Sequence, residues 1–169
     1  MLVLLLAFAS CSFTTNTFND PNKDKLLLQV ITYVLERGHF DPQDINDEFS
    51  MKVYSDYLDN LDPLKRYFYQ SDIDEFAKYQ TELDDQIKAY DISFFNLTHE
   101  RLLQRIEEAK MIYKDVLSKP FDYSLNEEFN SDYEDSEYVR TKKEMKERWR
   151  MQLKYSNISI YDELIVEQE

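Results

Sequence analysis

The sequence contains a single glycine, Gly38, among its 169 residues. Tight hairpins and glycine-rich phosphate loops need positive φ angles that other residues avoid, so a chain this poor in glycine forms few of them. Aromatic residues make up 15% of the chain and provide ample material for a core. These features predict an all-α fold, an irregular bundle of about five to six helices.

Charge and cysteine content exclude several kinds of partner and site. The net charge is -14, so the phosphate backbone of a nucleic acid would be repelled and nucleic acid is not expected as a partner. Cys11 is the one cysteine, which excludes an internal disulfide and any multi-cysteine metal site.

Residues 44–76 predict two helices joined by a sharp turn. The first helix has apolar residues three and four positions apart, on one face: Phe49, Val53, Tyr54, Tyr57, Leu58 and Leu61. Asp62-Pro63 ends it, because proline disfavours helical geometry in the preceding residue. Asp72 is the candidate N-cap of the second helix, with Glu75 three residues on, and this helix should continue to about Tyr90.

Helices are also predicted on both sides of this stretch. Lys25–Arg37 should bury one face and end at Gly38 with a positive φ. The residues of that face are Leu27, Val30, Ile31, Val34 and Leu35. A long helix should begin at Ser93 as its cap and end near Ser118. Its buried face is predicted as Phe95, Leu102, Ile106, Ala109, Tyr113 and Val116, with Arg101, Gln104, Arg105, Glu108 and Lys114 mostly in solvent.

The last third of the chain predicts an acidic loop followed by helices. Residues 125–137 are strongly acidic, which is typical of a solvated loop. Arg140–Tyr155 is basic and amphipathic, with apolar residues at four-residue steps: Met145, Trp149 and Leu153. Ser156-Asn157 should interrupt it before another helix begins at Ile158.

The N-terminus matches the apolar core of a secretion signal in residues 1–10, which are too few to span a bilayer. Ala9-Ser10-Cys11 resembles a bacterial lipoprotein signal, which makes Cys11 a candidate for lipidation. Residues 11–24 would then tether the helical domain of residues 25–169 to the membrane. The alternative is a buried N-terminal helix in which Cys11 is a small core residue.

Several short motifs carry a family resemblance. They are Asp47-Glu48-Phe49-Ser50, Tyr57-Leu58, Leu61-Asp62, Lys65-Arg66-Tyr67-Phe68, Asp72-Ile73 with Phe76, Lys119-Pro120-Phe121-Asp122-Tyr123, and residues 149–155. In this order and spacing they resemble the N-terminal helical domain of the tail-specific proteases, also called carboxy-terminal processing proteases. The resemblance extends from about Leu26 to the C-terminus.

The resemblance implies a role in proteolysis without chemistry in this chain. Such proteases cut with a serine activated by a lysine in a separate domain, beyond a PDZ domain, and neither domain matches this sequence. No residue here is therefore expected to be catalytic or to bind a cofactor or metal, and the chain is interpreted as incomplete at its C-terminal end. The implied partners are envelope protein substrates or adaptor proteins, the PDZ and protease domains of the same protein, and the membrane through Cys11.

The implied location is the bacterial cell envelope, on the periplasmic side. The alternative is a stand-alone helical lipoprotein that binds other proteins and has no catalytic partner.

Two remaining patterns have a functional and a structural interpretation. Glu36 and His39 have the Glu-x-x-His spacing of di-iron bundles, but the further ligands are missing and Gly38 would end the helix between them, so no metal site is predicted. A basic and aromatic set could dock a partner or pack within the bundle, and packing is favoured. It consists of Lys65, Arg66, Tyr67 and Trp149.

Overall fold

The computed structural model describes residues 21–38, 44–133 and 136–166, which belong to two units, residues 1–42 and 43–169. The described residues form six α-helices and no strand beyond an isolated bridge between Tyr69 and Val139, which confirms the all-α prediction. The helices are α1 (Pro21–Tyr33), α2 (Asp47–Leu61), α3 (Gln70–Phe76), α4 (Leu83–Ala89), α5 (Ser93–Val116) and α6 (Lys142–Val166). The predicted signal core, Cys11 and His39 lie outside the described residues.

The first unit contributes α1 and a π-helical turn, Val34–Gly38. The helix begins at Pro21, within the predicted tether. Its predicted buried face is wrong: four of the five residues are between 45% and 54% exposed, namely Leu27, Val30, Ile31 and Val34. Apart from the π-helical turn that continues α1, the described residues of this unit contain no element against which that face could pack. Gly38 does not adopt a positive φ, because the backbone there continues as a helical turn.

The second unit has two core clusters, one between α5 and α6 and a larger one between α2, α3, α4 and α5. Phe76 is completely buried, with ring centroids 5.5 Å from Phe68 and 6.2 Å from Phe94, both edge-on. Tyr54 and Leu58 reach this cluster from the predicted apolar face of α2, which confirms that face. Edge-to-face packing of this kind is the favoured arrangement of aromatic rings.

The predicted single helix from Asp72 to Tyr90 is wrong, because the chain breaks into α3, a 3-10 turn (Ala77–Tyr79) and α4. Buried Ser50 of α2 holds the break. Its hydroxyl donates to the Gln80 carbonyl at 3.0 Å and accepts from the Leu83 N–H at 2.8 Å. The Gln80 carbonyl and the Leu83 N–H are therefore hydrogen-bonded to a side chain of α2 instead of to backbone groups of one continuous helix.

The start of α3 also differs from the prediction. Tyr69 is the N-cap, and Asp72 lies three residues inside, where its carboxylate accepts the Tyr69 N–H at 2.9 Å. Asp72 still takes part in capping, because its carboxylate in the first turn accepts the N–H of the N-cap residue Tyr69. The bridge to Val139 fixes the extended backbone of Tyr69, and this sets the start of the helix.

Helix α5 buries a different residue at its start than its pattern predicts, and α6 is longer than predicted. The end of α5 at Val116 is within two residues of the prediction, but Phe94 is buried while Phe95 is 49% exposed and stacks on His99. Helix α6 continues through Ser156-Asn157, so the predicted interruption there is wrong. Both residues are exposed, and at exposed positions their modest helix propensity is tolerated.

Candidate functional site

The predicted docking residues converge where the linker 62–69 crosses α6. Trp149 is 7% exposed, and its indole N–H donates to the Arg66 carbonyl at 2.9 Å. The Arg66 guanidinium lies 4.9 Å from the Trp149 ring centroid, and the Tyr67 ring packs edge-on against the same indole. Lys65 is 8% exposed and donates to the Ser136 carbonyl at 2.6 Å. All four side chains thus pack within the chain, as favoured above, and docking of a partner there stays a prediction.

Three side chains of α6 bind three consecutive carbonyls of this linker. Gln152 donates to Leu64 at 3.0 Å, Arg148 to Lys65 at 2.6 Å, and Trp149 to Arg66. Burial lowers the pKa of the Arg148 guanidinium, and the carbonyls it binds satisfy its donors. The linker therefore has one fixed path over α6.

Asp62 organises the N–H groups of the same linker. Its carboxylate is 1% exposed and accepts from three successive N–H groups at 2.9–3.0 Å, those of Arg66, Tyr67 and Phe68. A carboxylate that accepts several backbone N–H bonds is a strong acceptor because each bond is charge-assisted. The sequence pattern placed Asp62 at the end of a helix and in a family motif, without indicating that it is an acceptor.

Replacing Trp149 with phenylalanine tests this joint. The variant keeps ring packing but leaves the Arg66 carbonyl without its donor, so we expect a loss of about 1–3 kcal/mol in the free energy of unfolding. Urea denaturation followed by circular dichroism measures the loss. Tyr155→Phe, at a half-exposed position on the same helix, is the control and should change stability by less than about 0.5 kcal/mol. An equal effect of the two substitutions would contradict the assigned role of the indole N–H.

A second buried carboxylate joins α3 to α5. Asp72 is fully buried and forms a bidentate pair with Arg105, at 2.8 and 2.9 Å, together with a bond from Arg101. Arg105 also binds Glu108, which accepts the Tyr69 hydroxyl at 3.0 Å. Three α5 side chains are only 19–22% exposed and bind α3 or its cap, namely Arg101, Arg105 and Glu108. The prediction that they are mostly solvated is therefore wrong.

The loop after α5 is tied to α6 by a salt-bridge cluster. Glu127 bridges Arg150 and Lys154, the latter at 2.5 Å, and Lys154 also donates to the Asp122 carbonyl at 2.6 Å. The hydrogen bonds from Arg150 and Lys154 lower the pKa of Glu127 to about 2. Further along, the Phe129 ring stacks on Tyr155 with centroids 4.7 Å apart. The acidic segment is thus partly docked, although a solvated loop was predicted.

Replacing Glu127 with glutamine should loosen this loop. We expect several-fold faster hydrogen–deuterium exchange in residues 121–129 at pH 7, with α5 unchanged. Because the folded-state pKa is depressed, the contribution of Glu127 is present above pH 4.5 and is lost as the pH falls towards about 2. The difference from the wild type should therefore shrink over that range. Glu128→Gln, at the exposed neighbouring position, should have no effect, and equal effects of the two variants would contradict the assignment.

Beyond this loop, the second half of α6 presents an apolar surface. It comprises seven residues that are each between 41% and 67% exposed: Tyr155, Ile158, Ile160, Tyr161, Leu164, Ile165 and Val166. We refer to this set as the α6 apolar surface. At its base, Tyr123, Asn157, Ile158 and Tyr161 line a cleft of about 450 Å³, and the Tyr123 hydroxyl donates to Asn157 at 2.5 Å.

Neither a metal-binding cluster nor a membrane-spanning helix occurs among the described residues. Within residues 21–38, 44–133 and 136–166, no group of three or more His, Cys, Asp or Glu side chains is placed to hold a metal ion. Among the helices of the same ranges, none is both long and apolar enough to cross a bilayer.

Comparison with known proteins identifies the family. Residues 31–168 match the profile of the tail-specific protease N-terminal domain. The chain belongs to this family. A tail-specific protease from Haemophilus influenzae is 27% identical over 139 residues, which cover 82% of this chain and 20% of that protein. The tail-specific protease N-terminal domain described here therefore spans about a fifth of the length of this curated relative, and the family predicted from residues 47–76 is confirmed.

Proposed function

We propose that this chain is the N-terminal scaffold of an exported tail-specific serine endopeptidase and that it positions protein substrates or adaptor proteins for PDZ and catalytic domains. The family match over residues 31–168 carries the proposal, since the matched relative is named for this activity and devotes only a fifth of its length to the matched region. Bond cleavage is assigned to the rest of such a protein.

The geometry of the domain suits a scaffold. Asp72 ties α3 to α5, and Asp62 fixes the path of the linker that α6 binds, so these elements are held at fixed positions. Substrate positioning requires such rigidity, because small displacements at a distance reduce catalytic rates strongly. The exposed apolar residues of α6 then provide contact area outside the rigid core.

Export and anchoring complete the proposal. The apolar run of residues 1–10 followed by Cys11 supports secretion and lipidation of the cysteine. The domain would then lie on the periplasmic side of the cell envelope, close to membrane-bound substrates. Metabolic labelling with a radioactive fatty acid tests this step, and a Cys11→Ser variant should lose the label.

A chimera tests the scaffold role. In it, this chain replaces the matched segment of the Haemophilus influenzae protease, and cleavage of an unstructured peptide substrate is measured. We expect the chimera to cleave the peptide, while the 169-residue chain alone does not. A folded chimera without activity would contradict the proposal. Binding of specific envelope proteins by the isolated chain, together with a folded but inactive chimera, would favour the stand-alone lipoprotein.

A further inference from the structure

The second half of α6 lacks the packing that a helix of its composition needs. Its first half buries Met145, Trp149 and Gln152, whereas residues 155–166 contain no buried side chain. A helical segment of about 12 residues is marginal in water, and β-branched residues such as Ile158 and Ile160 lower its propensity further. This half of the helix therefore continues α6 without tertiary packing of its own among the described residues.

Three residues of the α6 apolar surface form a stripe along one face of the helix. Ile158, Tyr161 and Ile165 follow each other at steps of three and four and lie on one face. The cleft between Tyr123 and Tyr161 adjoins this face and is large enough to receive a side chain. The match to the family extends to residue 168, so the stripe belongs to the domain itself.

The charge of this half-helix restricts the chemistry of its partner. Residues 155–169 contain four acidic residues and no lysine or arginine, in contrast to the basic first half of α6. A second copy of the chain would bring like charges together, and this disfavours self-association through the stripe. The complementary surface is apolar with a basic rim.

We propose that the stripe of Ile158, Tyr161 and Ile165 is the interface with the remaining polypeptide of the tail-specific protease, which inserts an apolar side chain into the cleft beside Tyr123. This inference rests on the proposed function and names the partner of the scaffold. The length of the relative supports this occupant, because about four-fifths of that protein lies outside the match and is present at high effective concentration in the same chain.

Hydrogen–deuterium exchange of residues 155–166 tests the proposal in the Haemophilus influenzae chimera and in the 169-residue chain. We expect at least tenfold slower exchange in the chimera and fast exchange in the isolated chain at every concentration. Fast exchange in the chimera overturns the proposal. Protection that grows with the concentration of the isolated chain also overturns it, because the occupant would then be a second copy. A chimera that cleaves peptide but leaves this segment unprotected refutes the interface and leaves the proposed function standing.

Matched variants separate the stripe from general surface effects. Ile158→Asp combined with Tyr161→Asp should lower the melting temperature of the chimera and leave that of the isolated chain unchanged. Met111→Asp, at a 69% exposed position on α5, should change neither. If the chimera does not fold, the 169-residue chain is added in trans to the Haemophilus influenzae protein lacking its matched segment. Saturable binding that the stripe variants weaken at least tenfold supports the interface, and absence of binding overturns it.

Discussion

Replacing Asp72 with asparagine is expected to remove about 3–5 kcal/mol from the free energy of unfolding, because it leaves two arginines without their buried counter-charge. The carboxylate is fully buried, and Arg101 and Arg105 are each only about one-fifth exposed. A domain of this size has a total stability of about 5–15 kcal/mol, so the variant should lose a large part of that stability. Urea denaturation at pH 7 measures the effect.

Two comparisons isolate the ion pair from general surface effects. Glu75→Gln breaks only the partly exposed bond between Arg101 and Glu75, and should cost less than about 1 kcal/mol. Arg105→Gln combined with Asp72→Asn should cost less than the sum of the two single changes. Either single change leaves the partner's charge unpaired, and the double variant removes both charges. A loss below about 1 kcal/mol in Asp72→Asn would contradict the assignment.

The buried ion pair between Asp72 and its two arginines also makes the stability of the protein depend on pH. Burial by itself raises the pKa of Asp72, but hydrogen bonds from Arg105, the Tyr69 N–H and Arg101 outweigh it, so the pKa lies below 3.8. The folded protein thus binds this proton less tightly than the unfolded chain does. The stabilisation is fully present above about pH 4 and is lost at lower pH. The difference between wild type and Asp72→Asn should therefore shrink as the pH falls below about 4.

Apolar periodicity correctly predicted the helices that pack one apolar face against the core. The face of α2 and the first half of α6 agree with the prediction, since Tyr54, Leu58 and Trp149 are all buried. It failed for α1, where the described residues of its unit offer nothing to cover the face. It also failed between α3 and α4, because the break depends on Ser50, about thirty residues away in sequence.

The polar joints were harder to predict than the core. A periodicity argument places charged residues in solvent, so Arg101 and Arg105 were assigned to the exposed face of α5. Their spacing of four residues on one face was the available signal, since it places two guanidinium groups side by side. Only the position of Asp72 in the first turn of α3 shows what they bind. The family motifs included Asp62 and Asp72, but gave neither residue its role as an acceptor.

Replacing Asp62 with alanine is the second change with a large expected effect, and it tests the joint over α6. The substitution leaves the N–H groups of Arg66, Tyr67 and Phe68 without their acceptor in a largely buried segment. Unpaired buried donors cost about 1–3 kcal/mol each, so we expect the three together to remove at least about 3 kcal/mol from the free energy of unfolding. Asp59→Ala, one turn earlier at an exposed position, should cost less than about 0.5 kcal/mol.

Trp149 gives this variant a local readout in addition to global stability. It is the one tryptophan of the chain, and its indole N–H binds the Arg66 carbonyl within the same linker. If Asp62 fixes the linker, Asp62→Ala should shift the tryptophan emission to longer wavelength before global unfolding, because water reaches the indole. Asp62→Asn retains one acceptor oxygen and should give an intermediate shift. An unchanged emission spectrum in folded Asp62→Ala would show that α6 holds the linker without Asp62.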